Sequence, residues 1–152
     1  MYQALVEDRI FIGAAGDVQD VVDRERVDVV VDLREEATAS AASAPGLRWL
    51  RIPLGDNAQE LQPQLFADAI QAVVDAYRAG YRVAFHCGGG KGRTGTVAVG
   101  VLMELGICQD LDEANLMART IRPVIHVKPD QRAALELLYP ANLPGRSSAS
   151  AS

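Results

Sequence analysis

The sequence predicts an α/β fold: a three-layer sandwich with a central, mostly parallel sheet flanked by helices. Three observations carry that expectation. Short runs rich in β-branched and aromatic residues recur at 27–33 (VDVVVDL) and 82–86 (RVAFH), each bounded by polar or turn residues as buried strands are. A long amphipathic segment, 63–79, sets Leu65, Ala69, Ile70, Val73, Val74 and Tyr77 on one helical face. A further segment, 93–105, is apolar nearly all round, which suits a helix enclosed by the rest of the molecule. Strands alternating with helices bury their apolar faces by stacking as layers.

The elements follow in order. Residues 2–6 and 10–13 are weaker strands that can pair as a hairpin around Glu7, Asp8 and Arg9. A short helix is expected over 17–26, then the strand at 27–33. Residues 35–46 are dominated by alanine and serine and end in Pro45-Gly46. They form either a surface loop or a weak helix and carry no obvious chemistry. The next strand is 47–54, with Trp49 in the core or at a sheet edge. Gly80 is the natural stop for the helix at 63–79. The strand at 82–86 runs into the helix at 93–105. Two helices close the fold: 112–121, ended by Pro123, and 129–139, with Pro129 as first helical residue. One domain is expected over 1–143, with a low-complexity, disordered tail at 144–152.

A chain of 152 residues is long enough for a single core, and 49% hydrophobic against 23% charged residues fits a soluble globular protein. The longest apolar stretch, 94–103, ends at Glu104 and is too short to span a bilayer. The first residues lack a basic segment followed by an apolar one, so no signal peptide is expected, and a cysteine useful as a free thiolate makes a reducing cytoplasm the expected compartment. A net charge of −5 with no basic face excludes a general nucleic-acid binder. An anionic ligand must then be drawn by a local field, because the weak overall repulsion is screened beyond about 8–10 Å. Two cysteines, Cys87 and Cys108, match no metal-ligand spacing. No metal and no cofactor is expected, and the chain is expected to be a monomer.

The chemistry lies in His86-Cys87-Gly88-Gly89-Gly90-Lys91-Gly92-Arg93-Thr94. A loop between a strand and a helix aims the helix N-terminus at whatever it encloses, and free N–H groups there favour an anion. Gly88, Gly89, Gly90 and Gly92 keep side chains out of the way and allow the φ values that turn successive amides inward. The same positive field favours a thiolate on Cys87. Arg93 supplies a planar fork for two phosphate oxygens. Thr94 can donate its hydroxyl to the sulfur. A plain tight turn is the competing reading. A Walker nucleotide loop is another, but it needs Gly-Lys followed directly by Ser or Thr, and here Gly92 follows Lys91.

These residues resemble the signature of the cysteine-dependent protein tyrosine phosphatase superfamily: His-Cys, five residues, Arg, then Ser or Thr. The late position of the loop in a short chain is similar to the compact dual-specificity branch. Residues 10–13, 29–33 and Arg122-Pro123 also resemble that branch, so the likeness extends over most of 1–140. It implies a dual-specificity phosphatase-like fold and hydrolysis of phosphate monoesters through a phosphocysteine, with a phosphorylated protein or another phosphomonoester as partner. It also implies a general acid in a mobile loop upstream. Asp56, 31 positions before Cys87, fits that role, with Glu60 and Asp68 as competitors less free to swing. Gln131 is the nearest candidate for placing the hydrolytic water, or else an exposed first-turn residue. By the same resemblance Gly88 to Gly92, with Lys91, bind substrate phosphate. His86 is read as structural, its ring bonding backbone, and His126 as an ordinary surface residue. Lys91 resembles a lysine of phosphatase-and-tensin-type lipid phosphatases, but Gly88 stands where those carry a second lysine. That favours protein substrates over phosphoinositides, with RNA 5′-phosphate a further alternative. Outside hydrolysis, a catalytically silent phosphate-binding module and a rhodanese-type sulfurtransferase are the rivals.

Overall fold

The computed structural model describes residues 1–56 and 60–140. The expected tail at 144–152 therefore lies outside the described residues. The elements are β1 (Gln3–Val6), β2 (Ile10–Ala14), α1 (Val18–Glu25), β3 (Val29–Arg34), β4 (Arg48–Leu54), α2 (Pro63–Arg78), β5 (Val83–Cys87), α3 (Gly92–Glu104), α4 (Leu111–Ile121) and α5 (Pro129–Leu138). The sheet order is β1-β2-β5-β3-β4. β1 pairs antiparallel with β2 as the expected hairpin, and the β2–β5, β5–β3 and β3–β4 pairs are all parallel.

β3 and β5 start later than their sequence runs suggest, and each ends one residue later. Val83 pairs with both Ile10 and Val29, so the three central strands begin their ladder together. Asp28 and Arg82, just before it, bond to each other through backbone and the Asp28 carboxylate. Residues 35–46 form turns and irregular chain with no helix, held by contacts such as Ser40 Oγ to the Ala42 carbonyl. Ala42 is buried there against α1.

Strand alternation divides the core. Val29, Val31 and Leu33 of β3, with Val83 and Phe85 of β5, face the larger cluster built with α2, α3, α4 and α5. Val30 and Ala84 face the smaller one with α1. Three layers result, with unequal helical faces. α3 is enclosed on every side, as its all-round apolar sequence requires, and every residue from Gly92 to Leu102 is buried. Gly100 permits the close approach of α2, since a Cβ there would collide with Ile70. Burial of each Val, Ile, Leu or Phe in this core contributes roughly 1.5–3 kcal/mol.

Because β2, β5, β3 and β4 are parallel, their C-terminal ends emerge along one edge. β5 is central, while the β2–β3 connection and the β4–β5 connection carry their helices over opposite faces. Such a switch point leaves a crevice beyond the strand ends.

Candidate active site

Cys87 ends β5 and Gly92 begins α3, so the glycine loop sits in that crevice. The loop is tied to the scaffold by its carbonyls. Ala15 N donates to Gly88 O at 3.0 Å, and His126 N to Lys91 O at 3.2 Å. Arg122 Nε donates to Gly90 O at 2.8 Å. Gly90 has φ +68, and a Cβ there would lie 2.8 Å from the Gly13 backbone, so both conformation and space require glycine. Cys87 is buried at 3% exposure. Its sulfur accepts from Gly90 N at 3.3 Å and from Thr94 Oγ1 at 3.1 Å. Gly88, Gly89 and Lys91 are exposed around it, while Gly92 is buried.

His86 stands beneath the loop with Nδ1 2.9 Å from the Cys87 carbonyl, so this ring nitrogen is the donor. Parallel register places Asp32 beside it. Asp32 accepts from Arg34 Nε at 2.9 Å, Arg34 Nη2 at 2.8 Å and Trp49 Nε1 at 2.9 Å. Burial pushes the Asp32 pKa up, but the bonds from Arg34 and the charges and donors around it outweigh that and hold it below its usual value. Burial pulls the His86 pKa down, so the ring is neutral, with Nε2 3.8 Å from Asp32 Oδ1. Of the two places expected for Trp49, the sheet edge is the one found: it lies on edge strand β4, half-buried, with its indole N–H bonded to Asp32.

Arg93, 4% exposed, crosses the ends of β3 and β4. Its Nη1 donates to Leu54 O at 2.9 Å and to Leu33 O at 3.4 Å. The same Nη1 reaches Glu36 Oε1 at 2.8 Å, and Nη2 reaches Glu36 Oε2 at 2.9 Å. This bidentate pair ties the 35–46 segment to Arg93. The hydrogen bonds from Arg93 pull the Glu36 carboxyl down to about 2. On Arg93, burial opposes the charge, but Glu36 and the nearby Cys87 and Asp56 more than offset it and raise the pKa. Nε of Arg93 is buried and has no hydrogen-bond partner among the described residues.

Asp56 follows β4, with its side chain 46% exposed and Oδ1 3.9 Å from Arg93 Nε. Asn57, the residue after it, lies outside the described residues. Lys128 Nζ approaches Asp56 Oδ1 at 3.2 Å and donates to the Asp56 carbonyl at 2.9 Å. Gln131 is 2% exposed, not an exposed first-turn residue. Its Oε1 accepts from Lys128 N at 3.0 Å, and its buried Nε2 has no partner among the described residues. A Cβ on Gly92 would meet the Gln131 amide at 3.0 Å and Asp56 Oδ1 at 3.4 Å. Gly92, Gln131 and Asp56 thus converge. Of the competing acids, Asp68 is an exposed residue of α2 bonded to Gln64 at 2.8 Å, and Glu60 is exposed before that helix.

Cys108 lies beyond the other end of α3, its thiol pushed up to about 11 by burial and neighbouring acids. The 13 residues of α3 separate the two cysteines by about 20 Å at the α-helical rise, beyond disulfide reach. Among the described residues no group of three His, Cys, Asp or Glu side chains could hold a metal ion. No described helix is long and apolar enough to cross a membrane.

Residues 10–139 match the family model of the dual specificity phosphatase catalytic domain. The chain belongs to that family. Its fold recurs in solved structures of phosphatases. Human DUSP28 superposes with a TM-score of 0.77 at 23% identity, covering 90% of both chains. Tk-PTP in its active form gives 0.75 at 25% identity, over 93% of this chain and 97% of that one. PTPMT1 in complex with PI(5)P gives 0.75 at 18% identity, over 99% of both. A search of the curated proteins found no match.

Within this dual specificity phosphatase fold, all the site residues expected from sequence fall around one crevice. Sequence reasoning missed Glu36, Lys128, Asp32 and the anchoring role of Arg122. Charged residues directly after a buried strand, as in Arg34-Glu35-Glu36, were the available signal for the first.

Proposed function

We propose that the chain hydrolyses phosphate monoesters through a phosphocysteine on Cys87, within one phosphatase domain at 1–143, and that phosphorylated proteins are its substrates. The observation that carries this reading is the setting of the Cys87 sulfur. It lies at the N-terminus of α3 with an amide and a hydroxyl donating to it, below a fixed guanidinium whose Nε lacks a partner. Nε and the neighbouring Nη2 form an edge on which two phosphate oxygens fit.

In the first step the Cys87 thiolate attacks phosphorus while the bond to the leaving oxygen breaks. Arg93 and the amides of Gly88 to Gly92 hold the equatorial oxygens, and Asp56 gives its proton to the leaving oxygen. In the second step Asp56 takes a proton from water placed by Gln131. That water attacks phosphorus, and sulfur departs as a thiolate that Thr94 stabilises. Inorganic phosphate and free enzyme result.

Hydrolysis of p-nitrophenyl phosphate by the wild type but not by Cys87→Ser is the expected result. A folded wild type that binds phosphate without hydrolysing it would instead indicate a silent binding module. Thiocyanate formation from thiosulfate and cyanide would indicate a sulfurtransferase. A phosphoinositide reading is favoured by one observation, the presence of Lys91 and Lys128 on the rim. PTPMT1, of the same fold, was solved with PI(5)P. A panel of phosphotyrosine, phosphoserine/threonine and phosphoinositide substrates separates the two readings, with higher kcat/KM expected on the phosphopeptides.

A further inference from the structure

We propose that Lys128 is a positioning residue that latches Asp56 over the phosphate loop and away from Arg93. The inference rests on the assignment of Asp56 as general acid. Three features of the geometry support it.

Lys128 grips Asp56 twice, at the carboxylate and at the backbone carbonyl, 3.2 and 2.9 Å away. A contact to backbone fixes where Asp56 itself lies as well as where its side chain points. Lys128 is also the N-cap of α5, and its own amide donates to Gln131 Oε1. That bond leaves Gln131 Nε2 as the end of the amide available to the crevice. One residue thereby sets the acid through its side chain and the water-placing amide through its backbone.

The third feature is competition between cations. Asp56 Oδ1 stands 3.9 Å from Arg93 Nε, which is buried and without a partner. A half-exposed carboxylate beside such a donor is drawn towards it. Closing that gap would cover the guanidinium edge that a phosphate needs and remove the acid from the leaving oxygen. The ammonium of Lys128 lies closer to Oδ1 and holds it back. After Asp56 has given up its proton, the same ammonium faces the new carboxylate and steadies it until water delivers a proton in the second step.

The test uses a series of aryl phosphates of increasing leaving-group basicity, with Lys128→Met, Lys128→Arg, Asp56→Ala and the Lys128→Met/Asp56→Ala pair. Lys128→Met should lower kcat roughly three- to fivefold on the most basic leaving groups, the scale of a partly exposed ion pair. On p-nitrophenyl phosphate kcat should change little while KM rises, because Asp56 released from Lys128 covers the Arg93 edge, and Lys128→Arg should recover most of both effects. In the Asp56→Ala background Lys128→Met should change nothing further. Equal slowing of kcat across the series, a KM unchanged on every substrate, or losses that multiply with those of Asp56→Ala would overturn the latch. Thermal melting of each variant distinguishes these outcomes from misfolding. If Asp56→Ala itself showed no leaving-group dependence, the acid assignment would fall, and the latch with it. A latch failure alone would leave that dependence intact.

Discussion

Cys87 and Cys108 are equally buried, at 3% and 2% exposure, yet they sit in opposite chemical settings at the two ends of one helix. Around Cys87, the N-terminus of α3 supplies positive potential, and Gly90 N and Thr94 Oγ1 donate to sulfur. Cys108, past the C-terminus, has the sulfur of Met117 at 3.8 Å, and burial with nearby Glu113 and Asp110 pushes its thiol up to about 11. Burial alone therefore says nothing about reactivity. On the proposed mechanism the donors and the end of the helix decide it.

The largest way to break this contrast is to exchange the two thiols' fates. Cys87→Ser should lose phosphatase turnover by several orders of magnitude, while Cys108→Ser should keep wild-type kcat/KM. Equal loss in both would mean that the sites do not differ as described.

Asp56→Ala comes next. Its expected cost is about 10²–10⁴-fold on peptide substrates with basic leaving groups and far less on p-nitrophenyl phosphate, which needs little protonation. Equal slowing on both would make Asp56 structural.

Thr94→Ala makes the Cys87 sulfur more like that of Cys108 by removing one donor. A hydrogen bond to a charged group contributes about 1.5–3 kcal/mol, so kcat should fall roughly 10- to 100-fold. Phosphocysteine should accumulate in rapid-quench samples, because sulfur is the leaving group of the second step. A slowed first step with no accumulation would count against the role given to the hydroxyl.

The smallest effect is expected at the rim. Glu36→Gln leaves Arg93 held by Leu33 and Leu54 but loosens its orientation, so KM should rise a few-fold with kcat little changed. Stability carries a second signature. The Glu36 carboxyl lies at about 2 when folded, below its ordinary 4.5. Its contribution is present above pH 4.5 and lost as pH falls through about 2. Thermal melts between those limits should show a shallower acid slope in Glu36→Gln than in wild type. Parallel slopes would contradict the pairing with Arg93.

Local pattern made much of the molecule legible. The hairpin, the three-layer class, the helix stop at Gly80 and the loop from Cys87 to Thr94 all follow from period, breakers and spacing. Pairing across the sheet was not legible. Nothing in VDVVVDL says that Asp32 lies beside His86, because that depends on β3 and β5 being neighbours although β4 and α2 intervene in sequence. Glu36 was hidden for the same reason, since nothing in a stretch rich in alanine and serine tells which of Glu35 and Glu36 reaches Arg93. Lys128 meets Asp56 across 72 positions, a contact that exists only once α5 has docked beside the end of β4.

On the proposed mechanism a covalent phosphoryl intermediate forms at one thiol and not the other. Rapid acid quench during turnover of an aryl phosphate, followed by mass mapping of the peptides, tests it directly. One phosphoryl group is expected on the peptide containing Cys87, none on that containing Cys108, and none anywhere in Cys87→Ser. Label on Cys108, or continued turnover by Cys87→Ser, would contradict it.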